Sequence, residues 1–458
     1  MIKKIKNLIY IYQLSEYDNL FFFSWIKNHQ NLEEYFNSEA AKFPVWTAKA
    51  KMIFWLAILF TPFFKKNLYI SLILAAKIIK PFENIVVFFI VRRAQSKLKK
   101  YKDLIKIGIT GSYGKTTTKE YLAAVLSEKY RVLKTPENIN TLIGISRLIL
   151  KELNESYQIF VAEMAAYKRS DIKRLCGLIN PQIGILTGLA GSHLERFGSI
   201  ENIVRAKFEL VDGLNQKNGR FFMNADNDLI IENYRKFVKT DFEFYGINEN
   251  INKKFNARNI ELGENFLKFE IYKEGKFYFK TEVNLLGRHQ LEPLLAAITV
   301  ADNLGLTKDE MVRGLKKIRP LPRRLFPIKT PQGIIIDDSY NISEKSIEAA
   351  LDYLTAVFMN KRKVVLTAGI VEQGNRKSEN NIFLGQKLKE GADLILTPKN
   401  SNTRYIIKGL GLPEDKISEY NKIIIFNNAK EIDSVLSRIL KPDDVVLIFP
   451  YNLPAHYL

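Results

Sequence analysis

With 458 residues, 47% of them hydrophobic, the chain is long enough for about three folded domains with ordinary cores. A formal charge of +20 suits an anionic partner: nucleic acid, acidic lipid headgroups or an acidic small molecule. The single cysteine, Cys176, excludes an intramolecular disulfide framework and a Cys-based metal site, and its apolar neighbours Leu175 and Leu178 predict a buried small residue.

Half of the positive excess lies in residues 1–100, with 16 Lys/Arg against 6 Asp/Glu. No secretory signal with a small-residue cleavage site is visible there. Met52–Phe64 is an uncharged run; Lys65 and Lys66 interrupt it, and apolar stretches return at 68–76 and 85–91. A spanning helix needs about 20 apolar residues, and neither run reaches that cleanly. Basic residues flank the segment: Lys49 and Lys51 before it, and Arg92, Arg93, Lys97, Lys99 and Lys100 after it. The pattern predicts a helical region, 1–100, with two short helices dipping into one leaflet, or a tight hairpin, at an anionic membrane surface. The alternative is a pair of buried helices in a soluble domain.

From Lys106 onward short apolar strands alternate with helices, at 104–110, 157–164, 182–187 and 220–224, which predicts a parallel sheet covered by helices. Residues 240–285 alternate apolar and polar side chains, with Gly263 and Gly275 as turns, and read as a β-hairpin insertion. Helices are expected at 289–304 and 307–318, and Arg319–Pro322 as a linker. Strands near 333–337, 363–367, 393–397, 422–426 and 444–449 then predict a second, doubly wound α/β domain. The expected boundaries are 1–100, 101–319 and 320–458.

The most informative stretch is Thr110-Gly111-Ser112-Tyr113-Gly114-Lys115-Thr116-Thr117-Thr118, between an apolar strand and a helical pattern. Glycines let backbone N–H groups approach phosphate oxygens, and the helix N-terminus adds positive charge. Lys115 can reach β/γ-phosphates and Thr116 can ligate Mg2+. The longer G-x-x-x-x-G-K-[ST] pattern fails at Ile109, whereas the shorter T-G-x-x-G-K-T is met. Glu163, at the carboxyl end of a strand, is placed to hold Mg2+. His193, after another strand, is a candidate direct or water-mediated metal ligand. Lys207 reads, on its own, as a solvated helix-face charge. Asn138 and Asn140 either donate to a polar substrate or form turns. Asp338, in Asp337-Asp338-Ser339-Tyr340-Asn341, can accept from a ribose hydroxyl, and Arg323-Arg324 could cross to phosphates.

Together these motifs resemble the Mur ligase family, and within it the D-alanyl-D-alanine-adding branch. The resemblance covers residues 104 to about 385. It rests on TGSYGKTTT, TPENINTLIG, VAEMAA, HLERFGS, RAKFELVDGL, FFMNADND, GRHQLEPLLAA and DDSYNISEKSIEAAL, in family order. It implies a P-loop central domain followed by a Rossmann-like C-terminal domain, and an ADP-forming amide ligase of peptidoglycan precursor synthesis working through an acyl phosphate. The implied reactants are ATP, a muramoyl-peptide and a D-amino-acid dipeptide, with the catalytic domains as a monomer on the cytoplasmic side of the membrane. Gly111, Ser112, Gly114, Lys115, Thr116 and Thr117 would bind ATP phosphates. Glu163, His193, Thr116 and a carbamylated Lys207 would hold Mg2+. His289 and Gln290 would lie on the adenine side, with Arg324 on phosphate and Asp338 on ribose. Lys115, Lys207 and His193 are the implied catalytic set, and Asn138, Asn140, Tyr340 and Asn341 the substrate set.

The chain departs from the family pattern at several places. Gly188 replaces the usual Asn after Thr187, and Glu163-Met164-Ala165-Ala166 replaces E-M-G-A. His289-Gln290-Leu291-Glu292-Pro293 replaces H-N-x-x-N. Residues 1–100 do not resemble the small α/β domain that holds the UDP end of the substrate in typical members, and Phe449–Pro454 lacks the usual K-G-S-R-type end. A folylpolyglutamate synthase-like ligase is an alternative, disfavoured because such proteins read D-G-A-H-N at 337–341. A membrane-tethered NTP-binding scaffold is another. No nucleic-acid motif accompanies the charge, so no nucleic-acid partner is expected.

Overall fold

The computed structural model describes residues 1–452 except 16, 29–43, 65–66, 192–193, 216–218, 248–250, 332, 341, 372, 374–375, 413–420 and 428–430. His193 and Asn341, and the chain end from Leu453, therefore lie outside the described residues. Two compact units divide at Ile90 and Val91.

The N-terminal unit is helical: α1 (Ile2–Leu14), α2 (Asn19–Asn28), α3 (Ala48–Phe60) and α4 (Leu68–Lys100), the last continuing past the division. Ile5, Leu8, Ile9 and Tyr12 of α1, Phe22 and Trp25 of α2, Ile53 and Ala57 of α3, and Leu72, Ala75 and Ile79 of α4 share one core. Thr47 caps α3 by accepting from the Ala50 N–H at 3.1 Å. The apolar stretches at 68–76 and 85–91 belong to one 33-residue helix that runs through Pro81. Lys77, Lys80 and Glu83 interrupt its apolar run. Among the described residues no helix is long and apolar enough to cross a membrane.

The second unit starts with a six-stranded parallel sheet. Its strands are β1 (Ile105–Thr110), β2 (Val132–Lys134), β3 (Ile159–Glu163), β4 (Ile183–Leu186), β5 (Arg220–Asn224) and β6 (Asp241–Tyr245), in the order β2-β3-β1-β4-β5-β6. Helices α5 (Lys115–Leu126), α6 (Leu142–Glu152), α7 (Asp171–Ile179), α8 (Ile200–Asp212) and α9 (Asp228–Phe237) connect them. The insertion predicted at 240–285 differs in two respects. Residues 241–245 complete the parallel sheet as its edge strand, pairing with β5. The rest of the insertion is a three-stranded antiparallel sheet rather than a hairpin: β7 (Phe255–Leu262), β8 (Leu267–Lys273) and β9 (Lys276–Val283). One face of it shares a core with the parallel sheet and with α10 (Leu291–Asn303). That helix is apolar nearly all round because it is covered nearly all round. Pro293 falls in its first turn, where a missing N–H breaks no helix hydrogen bond. The helix α11 (Lys308–Lys317) comes next, opened by a Thr307–Glu310 capping box.

The C-terminal sheet is mixed. The strand β10 (Phe326–Thr330), absent from the sequence expectation, pairs antiparallel with β11 (Gly333–Asp337). Parallel strands β12 (Lys363–Leu366), β13 (Leu394–Pro398), β14 (Ile423–Phe426) and β15 (Asp444–Ile448) complete the order β10-β11-β15-β12-β13-β14. Its helices are α12 (Glu344–Val357), α13 (Lys377–Gly391), α14 (Thr403–Leu410) and α15 (Ile432–Ile439). Where α13 meets α14 their backbones touch. A Cβ on Gly385 would lie 2.2 Å from the Ile406 carbonyl oxygen, and one on Gly409 would lie 2.1 Å from that of Ile382. Gly409→Ala must therefore push the helices apart. It is expected to destabilise the fold by about 1–3 kcal/mol in urea unfolding, and an unchanged midpoint would refute the contact.

Candidate active site

The carboxyl ends of β1, β3, β4 and β5 converge on one edge of the parallel sheet, where open α/β sheets bind ligands. β1 is paired on both sides, with β3 and with β4, so its last residue delivers the Thr110–Gly114 loop between Glu163 and Thr187. The loop is stitched to β4. The Thr187 N–H donates to the Thr110 carbonyl at 2.9 Å, and the Ser112 N–H donates to the Gly188 carbonyl at 2.7 Å. The Ser112 hydroxyl donates to the Ala190 carbonyl at 3.1 Å, and the Thr187 hydroxyl donates to the Tyr113 carbonyl. A Cβ on Gly111 would strike Thr187 Oγ1 at 2.1 Å. Gly114 caps α5 with φ +76°, a left-handed value that glycine adopts freely.

The Tyr113 ring accounts for the unusual Gly188. A Cβ at 188 would lie 2.3 Å from Tyr113 Cζ, so no larger residue fits while the ring is there. The ring is held by Asn227, whose Nδ2 donates to the Tyr113 hydroxyl at 3.0 Å and to the Leu189 carbonyl at 2.9 Å.

Lys115 folds back over its own loop, donating to the Gly111 carbonyl at 2.8 Å. Burial pushes its ammonium below the usual lysine range, Arg324 adds to the depression, and Glu163 opposes it. Glu163 is buried. It takes the Lys119 ammonium at 3.4 Å on Oε2 and Asn140 Nδ2 at 3.3 Å on Oε1. Lys119, fully buried and also paired with Glu120 at 3.3 Å, was missed by sequence reasoning. Its position four residues after Lys115 puts both on one helix face, which was the available signal.

Lys207 is buried on α8, so the solvated reading of it fails. Burial pushes its amine well below the lysine range, and nearby Lys115 lowers it further. Asp171 and Glu209 oppose this, but their carboxylates are spent on backbone N–H groups of Tyr167, Lys168, Ser170 and Lys173. Among the described residues no group of three His, Cys, Asp or Glu could hold a metal. The Glu163 carboxylate, buried at the strand end, is a hard oxygen donor of the kind that suits Mg2+, which keeps several waters.

Arg324 reaches this cluster from the C-terminal domain. Its guanidinium stacks 3.8 Å from the Tyr340 ring centre and lies 3.4 Å from Glu137. Asp338 is buried, accepts the Leu325 N–H at 3.2 Å, and is pushed up strongly by burial. Gln290 accepts the Tyr121 hydroxyl at 2.8 Å, and its amide nitrogen lies 3.1 Å from His289 Nε2. Burial drives His289 down to about 4, so it is neutral, and its Nδ1 has no partner. Asn138 is exposed in a left-handed turn, φ +65°, while Asn140 belongs to the Glu163 cluster.

Two family models match the chain: the Mur ligase middle domain over residues 109–301, and the Mur ligase, glutamate ligase domain over residues 323–452. The UDP-N-acetylmuramoyl-tripeptide--D-alanyl-D-alanine ligase of Escherichia coli (strain K12) is 30% identical over 67% of this chain and 67% of that relative. The chain belongs to the Mur ligase family. The same-named ligase of Bacillus subtilis (strain 168) is 32% identical over 59% of this chain. The match spans little more than half of that relative's length, 57%. The solved MurF ligase of Thermotoga maritima in complex with ADP superposes with TM-score 0.68 at 26% identity, over 81% of each chain.

In this Mur ligase Glu292 was also missed, although it is a charge at the head of an otherwise apolar helix. Burial raises its carboxyl to about 7, Asp226 adds to the rise, and Asn224 Nδ2 at 2.6 Å opposes it. Because the folded value lies above the unfolded one, the folded state keeps a proton that the unfolded chain loses between about pH 4.5 and 7. Stability should therefore fall as pH rises through that window. Glu292→Gln should flatten the slope by up to ~1.4 kcal/mol per pH unit in urea titrations; an unaltered slope would count against the buried carboxyl. Gly188→Asn should cost about 1–3 kcal/mol of stability by overpacking and so lower the melting temperature. Adding Tyr113→Ser should restore it. A single variant as stable as the parent would show that the ring does not fill this space.

Proposed function

We propose that this Mur ligase joins a muramoyl-peptide carboxylate to the amine of D-alanyl-D-alanine, with ATP converted to ADP and phosphate. The observation that carries the reading is the meeting of Lys115, Glu163 and a buried, deprotonation-prone Lys207 at one sheet edge. The curated relatives named above act as ligases of that substrate pair and support it. The substrate carboxylate takes the γ-phosphoryl group, giving an acyl phosphate and ADP. The amine nitrogen then bonds to the acyl carbon, and phosphate leaves as the amine gives up a proton. Catalysis is positioning and neutralisation of charge.

In this reading residues 101–319 bind ATP and residues 320–458 close over it. The loop amides of Gly111 to Thr117 and the Lys115 ammonium cradle phosphates, and phosphate oxygens replace the carbonyls that Lys115 now contacts. Thr116, Glu163, Lys207 and His193 would hold Mg2+, which would supply neutralisation of phosphate charge. Lys119 and Asn140 fix the Glu163 carboxylate between them. A depressed lysine amine is the form that adds to carbon dioxide. Carbamylation of Lys207 would turn an ammonium beside Lys115 into an oxygen ligand, removing the repulsion between the two. Arg324 approaches phosphate and Asp338 the ribose, and His289 with Gln290 face the base. Asn138, Asn140, Tyr340 and Asn341 border the peptide substrates. The enzyme works as a monomer on the cytoplasmic side of the cell membrane, with its N-terminal unit on the anionic surface.

ADP release tests the reading, with UDP-linked and other muramoyl-peptides as donors and D-alanyl-D-alanine, single D-amino acids or glutamate as acceptors. Turnover should require D-alanyl-D-alanine. Lys115→Ala should abolish it, and Lys207→Ala should be inactive but partly rescued by small carboxylates. Release driven equally by glutamate would overturn the acceptor, and an active Lys115→Ala enzyme would overturn the site.

A further inference from the structure

Among the described residues, the N-terminal unit leaves apolar side chains of α3 and α4 uncovered. On α3, Ala50, Ile53, Phe54 and Ala57 face the core. Met52, Trp55 and Leu59 fall within about 60° of one another on the opposite side at 100° per residue, and they are 49%, 68% and 65% exposed. On α4, Ile78, Phe82, Ile85, Val86 and Phe89 recur at spacings of three and four and are 45–65% exposed. On α3 the other face lies in the shared core, whereas α4 enters that core through Leu72, Ala75 and Ile79 and has no buried residue from Lys80 to Arg93. An apolar stripe of this size on one small helical unit marks a contact surface.

The charges choose the occupant. Between residues 44 and 100 the sole acid is Glu83, and Lys49 at 2.8 Å and Lys80 at 3.5 Å neutralise it. Every other charge in that stretch is Lys or Arg, with Lys51, Lys77, Lys80 and Arg93 exposed. A groove for a protein partner would rarely be rimmed by one sign alone, whereas acidic headgroups over an acyl layer match this surface. The α3 helix, at 13 residues, is about 20 Å long, short of the ~30 Å hydrocarbon layer. It can lie in the interface but not cross it.

We propose that the outward faces of α3 and α4 form an in-plane binding surface for anionic lipid, with Trp55, Leu59, Phe82, Val86 and Phe89 inserted among acyl chains and the lysines on headgroups. This rests on the membrane-side reading above and goes further by naming the surface and the lipid chemistry. The test is flotation of the full chain with phosphatidylcholine vesicles, with and without phosphatidylglycerol. Trp55→Ser/Leu59→Ser and Phe82→Ser/Phe89→Ser variants are compared with the parent, each checked by melting temperature and by ADP release in solution. Binding should be about tenfold or more tighter to the anionic vesicles and weaken with salt. Both variants should lose it at unchanged melting temperature and unchanged soluble turnover. Variants that still float would overturn this surface while leaving membrane association standing. Equal binding to both vesicle types would overturn the anionic preference. No binding by the parent would overturn both readings. A parent dimer that the variants dissociate would assign the stripes to a second copy instead.

Discussion

The register of β1 is the constraint on which the site depends. Because β1 hydrogen-bonds to β3 on one side and β4 on the other, Ile109 stands level with Glu163 and with Ile185. One residue of slip would carry Thr110 and Gly111 away from Thr187 and turn every β1 side chain to the wrong face. The register is held by burial: Ile107, Ile109, Val161 and Ile185 are fully covered in one core, and Phe160 and Ala162 in the other. The loop is thus positioned by the strand it leaves, and its glycines then let it approach Thr187 closely.

Electrostatically, the site brings buried cations close together. Lys115 and Lys119 lie by the Glu163 carboxylate, Lys207 lies near Lys115, and Arg324 arrives from the C-terminal domain. Desolvation of Lys115 and Lys207 costs the protein stability. The arrangement makes sense when a polyanion enters, because each added negative charge relieves repulsion that the folded protein otherwise carries. Lys119 is different in kind. Fully buried and paired, it fixes where the Glu163 oxygens point, so that the carboxylate is oriented before any ligand arrives.

Local patterns made the frame legible. Strand–loop–helix alternation and the Thr110–Thr118 motif need only neighbours in sequence, so both α/β domains and the phosphate-type loop could be read directly. The edge strands β2 and β10 could not. One is three residues long, the other comes after the proline-rich linker, and each is defined by a partner rather than by its own periodicity. The same reason hid the split of 240–285, where the edge strand β6 and the antiparallel sheet share one apolar–polar alternation. At the site, Glu163 was legible as a strand-end carboxylate, but Lys119 and Glu292 were not, because burial decides their chemistry and burial is tertiary. Gly188 is instructive. As a sequence departure it looked like a loss, and in space it is the room that Tyr113 requires.

The charge of the chain belongs to two surfaces rather than one. Residues 1–100 supply +10 of the +20, from 16 basic and 6 acidic residues. The catalytic domains carry the remainder over more than three times as many residues, and part of it is concentrated at the phosphate-type loop. A basic field spread evenly would attract nucleotide and acidic peptide everywhere and select neither. Separating it leaves the loop lysines buried, where desolvation sharpens their preference for phosphate, and leaves the N-terminal lysines exposed beside apolar stripes. An exposed lysine alone holds an anion weakly at physiological ionic strength. Adjoining Trp55 and Phe82, it gains an apolar contribution that salt does not screen, which is the physical difference between a soluble anion and a lipid surface as a partner.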